Sequence, residues 1–127
     1  MSITRTVKRL SATLACCALA AATLVGMSAG DASASTINNG YVQICAQGDY
    51  AAYIVFPYRG GFSSTIVQPK TCWYNYMGGN SWEPIDIYGL GNNSVIRLGE
   101  VWYDGAVSGI GIGAEGYASG NHYYWTW

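Results

Sequence analysis

Six carboxylates and one histidine follow residue 34, and their types are the ones that could carry acid–base or nucleophilic chemistry. Glu83 with Asp86, and Glu100 with Asp104 on either side of Trp102, are close enough in sequence to suggest two-carboxylate glycoside hydrolysis. That chemistry needs a fixed separation across a cleft, with one carboxyl kept protonated by its surroundings. Neither cleft nor separation is written in the spacing, and a small domain carries several acids for solubility alone, so both pairs read as solvated surface. A Ser-His-Asp triad would have to recruit His122, and no nucleophile-elbow sequence accompanies it. His122 reads instead as the exposed start of the last strand. Asp49, Asp86 and Asp104 are the candidate calcium ligands, yet no D-x-D-x-D-G run organises them. No metal, no cofactor and no catalytic residue are therefore expected; a small carboxylate-dependent hydrolase is the enzymatic alternative.

Gly111-Ile112-Gly113-Ala114-Glu115-Gly116 spells G-x-G-x-x-G. The dinucleotide fingerprint works because its glycines open a helix whose N-terminus meets a pyrophosphate. Here Gly109, Gly111 and Gly113 alternate with Ile110, Ile112 and Ala114, which is a strand period, and Tyr117 to Asn121 supply no helix. Three glycines of one parity leave a bare strip of backbone, tolerated when a neighbouring ring covers it. Trp102, Tyr103, Tyr124 and Trp125 are the rings expected within reach; a ligand's ring on the strip is the functional alternative.

The aromatic residues are the stronger functional signal. Five Trp, eleven Tyr and two Phe all follow Thr36. A core one layer thick has room for about eight to ten rings, each burying roughly 150–250 Å². The rest must reach the surface, where Tyr and Trp make flat, low-entropy platforms for sugars or partner proteins. Tyr74, Tyr76, Trp82, Trp102, Tyr117, Tyr123 and Trp125 are the platform candidates. The plainer reading is that tyrosine decorates outer strand faces because its β propensity is good.

The segment ahead of these residues bounds the setting. Arg5, Lys8 and Arg9 precede an uncharged, Ala-rich stretch from Leu10 to Met27, and Ala32-Ser33-Ala34 offers small residues for cleavage. Residues 1–34 thus read as a secretory signal peptide cut after Ala34, and not as a retained membrane anchor. Residues 35–127 read as one secreted, extracellular domain. Cys45 and Cys72 are the cysteines left, and an oxidising compartment pairs them. Their 27-residue separation predicts about 3.5 kcal/mol of stabilisation from chain entropy. Arg59, Lys70 and Arg97 stand singly against the six acids. Without a basic patch, nucleic acid and anionic membrane surfaces are excluded as partners.

These residues must be positioned by strands. Short β-rich runs alternate with Gly, Pro, Asn and Asp clusters, the pattern of a sandwich or barrel. The runs predict strands at Tyr41–Ala46, Ala51–Phe56, Phe62–Gln68, Cys72–Met77, Ile85–Leu90, Val95–Tyr103, Gly109–Ala114 and Tyr123–Trp127. The expected fold is all-β, a small antiparallel β-sandwich of about seven to eight short strands, with a small β-barrel as the alternative. An immunoglobulin domain is excluded, because no Trp lies between Cys45 and Cys72 and their loop is too short. Ala51–Phe56 is apolar on both parities and so predicts a central strand covered on both faces. A bulge near Gly99 would turn Glu100 outward and bring Val101 and Tyr103 in. Asp104-Gly105 predicts a type I′ turn. Cys45 shares its parity with Gln43 and Gln47, opposite Val42, Ile44 and Ala46, which puts the bridge on an outer face or edge.

A small secreted, non-enzymatic binding protein follows, presenting surface aromatics to a carbohydrate or an extracellular partner protein. A secreted enzyme inhibitor or an antagonistic toxin-like protein is the alternative.

Overall fold

The structure is a computed structural model that describes residues 35–127; the predicted leader, with its cut after Ala34, lies outside the described residues. The strands are β1 (Tyr41–Ala46), β2 (Ala51–Phe56), β3 (Phe62–Ser63), β4 (Cys72–Tyr76), β5 (Glu83–Gly91), β6 (Ser94–Tyr103), β7 (Ile110–Tyr117) and β8 (Gly120–Thr126). They form two four-stranded sheets, β4-β1-β7-β8 and β3-β2-β5-β6. The sheets pack face to face as an all-β sandwich, and neither closes into the alternative barrel. Five of the six strand pairs are antiparallel; β1 and β7 run parallel, so the first sheet is mixed rather than purely antiparallel.

Strand alternation builds the core. Val42, Ile44 and Ala46 of β1 and Ile112 and Ala114 of β7 face Ala52, Ile54 and Phe56 of β2 and Ile85 and Ile87 of β5, all of them fully buried. Tyr50, Val67 and Tyr103 close the ends of this layer. Because successive side chains alternate across a strand, the same register sends Tyr41, Gln43 and Gln47 outward.

The bulge falls where the sequence places it. Ile87 opposes Gly99 while Tyr88 opposes Arg97, leaving Leu98 as the extra residue. Glu100 is exposed, Val101 packs against the core and Tyr103 is buried.

Four expectations are corrected. The predicted strand Phe62–Gln68 shrinks to Phe62–Ser63 plus a lone bridge from Val67 to Ala52. The cause is Ser64, whose hydroxyl accepts the Ile54 N–H at 3.1 Å and so takes a ladder position from the backbone. Strand β2 is fully covered on one face only; on the other, Tyr53 and Tyr88 stack at 5.3 Å and stay half-buried. Neither Asp104 nor Gly105 has positive φ; β6 leaves its sheet there instead of entering a hairpin, and the Asp104 carboxylate accepts the Ala106 N–H at 2.9 Å. A type I′ hairpin instead joins β5 to β6, where Asn92 and Asn93 adopt the φ of 53° and 59° that this turn requires. Finally, only Tyr50, Phe56 and Tyr103 are fully buried rings, well below the expected eight to ten. The small inward residues Ala46, Ala52 and Ala114 bring the sheets together without them.

Candidate functional site

The seven platform candidates are all exposed, between 46 and 61%. The fold divides them. Tyr74 and Tyr76 of β4 and Tyr123 and Trp125 of β8 share the outer face of the first sheet. Tyr117 ends β7 beside them. Trp102 belongs to the outer face of the other sheet, where Tyr58 meets it edge-on at 6.4 Å, and Trp82 lies in the β4–β5 connection.

Rows of paired residues cross the first sheet. One runs Tyr74, Gln43, Gly111, Trp127; the next runs Cys72, Cys45, Gly113, Trp125. Tyr76 and Tyr41 begin a third row, and Glu115 and Tyr123 end a fourth. With strands about 4.8 Å apart, the face is roughly 14 Å wide.

The glycines decide how the rings lie. A Cβ on Gly111 would enter the indole of Trp127, and one on Gly113 would come within 2.6 Å of Trp125 Nε1. Both indoles therefore lie down on the bare backbone of β7, with ring centroids 4.8 Å apart and planes 39° apart. Trp125 was expected on this strip; Trp127 was not. Of the other rings expected there, Tyr103 goes to the core, Trp102 to the opposite sheet, and Tyr124 covers Gly99. The Trp125 N–H donates to Glu115 Oε1 at 2.8 Å and to Gln47 Oε1 at 3.2 Å, fixing the indole in place. At the opposite edge Tyr41 stacks on Tyr74 at 4.9 Å and meets Tyr76 edge-on at 5.2 Å. Two aromatic banks thus flank a floor of Gln43, the Cys45–Cys72 bridge and glycine backbone. Sequence reasoning missed Tyr41 and Trp127. Their pairing with β4 and with Gly111 was the signal, and it needs the register.

The disulfide joins directly opposed residues of β1 and the edge strand β4, on this outer face as the parity of Cys45 predicts. Beyond it, where the β1–β2 turn meets the β7–β8 hairpin, a cleft of about 290 Å³ adjoins the face and is lined by Asp49, Lys70, Glu115, Tyr117, Asn121 and Tyr123, among others. A larger concavity of about 470 Å³ follows the β5–β6 hairpin from Leu90 to Val95 and contains no titratable side chain.

The carboxylates are engaged structurally. Glu83 and Asp104 are buried, not solvated as expected. Arg59 Nε donates to both Glu83 oxygens at 2.9 and 3.0 Å, its other nitrogens reach the Met77 and Gly78 carbonyls, and it sits over the Phe56 ring. The bond to Glu83 raises the Arg59 pKa against the opposing effect of burial. Glu83 and Asp86, of opposite parity, face away from each other; the register instead opposes Asp86 to Glu100, with Arg97 2.9 Å from Asp86 and 3.9 Å from Glu100. That trio lies on an open sheet face. His122 is exposed, in the third position of β8. Among the described residues, no three His, Cys, Asp or Glu side chains gather where a metal could be held, and no helix is long and apolar enough to cross a membrane.

Burial raises the Tyr50 hydroxyl to about 12, helped by Glu115 and Asp49; it donates to the Glu115 carbonyl. Burial likewise raises Tyr103 to about 12, against the lowering effect of Arg59, and its hydroxyl donates to Gly78 O at 2.9 Å. Both rings are structural. Comparison with family models, curated proteins and solved structures returns no match for this chain.

Proposed function

We propose that the protein is a small exported, non-enzymatic carbohydrate-binding module, and that the outer face of the first sheet is its binding surface. The observation that carries this reading is the pair of indoles packed over Gly111 and Gly113, tilted 39° to each other, opposite the stacked tyrosines Tyr41 and Tyr74. A ring lying on backbone offers its other π-face outward, which suits stacking against the C–H face of a sugar. Gln43, Gln47 and Glu115 stand between the rings as hydrogen-bonding partners for hydroxyls. The face presents rings, amides and a carboxylate and carries no aliphatic side chain. The basic, apolar and small-residue sequence of the leader and the Cys45–Cys72 bridge support export.

Titration with soluble hydroxyethylcellulose, glycol chitin, xylan and laminarin, followed by tryptophan fluorescence, tests this. At least one polymer should shift the emission, and Trp125→Ala should weaken that binding by about tenfold or more, the loss of one stacked ring. A flat response to every polymer overturns the reading. A partner protein is the second reading, favoured by the same Trp and Tyr content that marks interface hot spots.

A further inference from the structure

We infer that the cleft at the end of the aromatic face is a subsite for a single neutral sugar ring, seating the end residue of a carbohydrate whose body lies along the face. The inference rests on the carbohydrate reading of that face.

The cleft is built in advance. Gln47 and Gly48 N–H groups both donate to the Ala114 carbonyl, at 2.8 and 2.9 Å, and Asp49 N donates to Gly116 O at 3.3 Å. Asp49 Oδ1 accepts the Ala118 N–H at 2.8 Å, tying the β1–β2 turn to the β7–β8 hairpin from the other side. Gly48 is pressed so close to Gly116 O and the Tyr50 ring that a Cβ would not fit. Lys70 Nζ donates to the Gln47 carbonyl and fixes the third wall. Walls held this way are not ordered at the ligand's expense.

Its size and chemistry select the occupant. At about 290 Å³ it falls just below the roughly 300–1,000 Å³ of clefts for drug-sized ligands, so it holds one ring and not a chain. Tyr117 and Tyr123 give it aromatic walls. Asp49 and Glu115 each use one oxygen on the frame, on the Ala118 N–H and the Trp125 indole, and leave the other for a ligand. Lys70 and Asn121 supply donors. A ring that both donates and accepts through adjacent hydroxyls satisfies this mixture. An anion meets two carboxylates against one ammonium, and an apolar group leaves all three charges without compensation. The Glu115–Trp125 hydrogen bond makes the cleft continuous with the indole platform.

The test compares oligosaccharide ladders of two to six units, cut from whichever polymer binds, with the polymer itself. Two cleft variants are used. Asp49→Asn keeps an oxygen for Ala118 but removes the charge, and Tyr117→Ala removes an exposed wall; thermal unfolding checks that both fold. Trp127→Ala reports on the face, away from the cleft. If the cleft takes the end residue, both cleft variants lower affinity for di- to tetrasaccharides by about tenfold, the loss of one charge-assisted hydrogen bond or one stacked ring. They lower polymer affinity far less, because the face still holds the body of the chain. Short oligosaccharides whose affinity depends on Trp127 and is untouched by both cleft variants overturn the subsite and leave the face intact. No binding by the unsubstituted protein to any polymer or ladder removes the face reading, and this one with it.

Discussion

The indole of Trp127 rests on Gly111, and the two residues exchange both main-chain hydrogen bonds, at 3.0 and 3.1 Å. A single methyl group at position 111 has nowhere to go but into that ring. Gly111→Ala is expected to lift the indole off β7 and to cost about 1–3 kcal/mol, as overpacking does. Urea denaturation measures the cost, and the tryptophan emission maximum reports the lifted ring. A variant with wild-type stability and an unshifted spectrum would refute the packing described for this face.

Arg59 and Glu83 form a second predicted weak point. Glu83 is buried and Arg59 is its partner, so Arg59→Ala leaves a carboxylate without compensation and strips the Met77 carbonyl of its guanidinium donor, while Gly78 O keeps the Tyr103 hydroxyl. Removing one member of a buried pair costs about 3 kcal/mol or more. Arg59→Lys should rescue little, because an ammonium cannot reproduce the guanidinium fork. Arg97→Ala, by contrast, removes an exposed side chain from an open sheet face and should cost far less than Arg59→Ala. Equal losses in the Arg59 and Arg97 variants in chemical denaturation would contradict this ranking.

Reduction of Cys45–Cys72 should lower stability by about 3.5 kcal/mol in the chain-entropy account. It should also act on the binding face, because β4 is an edge strand with β1 as its one neighbour and carries Tyr74 and Tyr76. The expectation is a drop in polysaccharide affinity under reducing agent, at a temperature where the protein remains folded, larger than that caused by Trp102→Ala. Hydrogen exchange of the β4 amides is the direct check.

Alkaline pH should destabilise the fold through Tyr50 and Tyr103. Both are raised to about 12, chiefly by burial, against an ordinary value of 10.0. Below pH 10 both are neutral in either state and their contribution is complete. Between 10 and 12 the unfolded chain loses these protons first, so stability falls as pH rises through that window. Tyr50→Phe should cost about 1 kcal/mol at neutral pH, for the bond to the Glu115 carbonyl, and should flatten the decline above pH 10. Unfolding midpoints between pH 8 and 12 give both numbers.

Strand positions were legible in the sequence because β1, β2, β4, β5, β6 and β7 carry their own periodicity between turn residues. Even the bulge at Leu98–Gly99 showed itself as a change of phase. What periodicity cannot report is which strands are neighbours. Glu83 looked solvated until its parity and Arg59 placed it inside, and the pairing of Asp86 with Glu100 depends on the register of β5 and β6. The seven platform candidates came from composition, as the surplus of rings over what a thin core can hold, and all seven are exposed. That Tyr74, Tyr76, Tyr123 and Trp125 share a face while Trp82 and Trp102 do not follows from sheet order, a property of no single segment. Tyr41 and Trp127 were missed for the same reason.

The parallel contact between β1 and β7 has a kinetic side. Val42 pairs with Ile110, far along the chain, whereas β2, β5 and β6 join through antiparallel ladders between residues 51 and 103. Contacts that close long loops form late. A chain emerging from N- to C-terminus has its second sheet and the β1–β4 ladder in hand before β7 arrives to join the halves. Trp125 and Trp127 follow β7, so the aromatic face is the last part of the molecule to come into being. A nascent chain halted at Tyr103 would already contain most of the sandwich's strands and none of its indole platform.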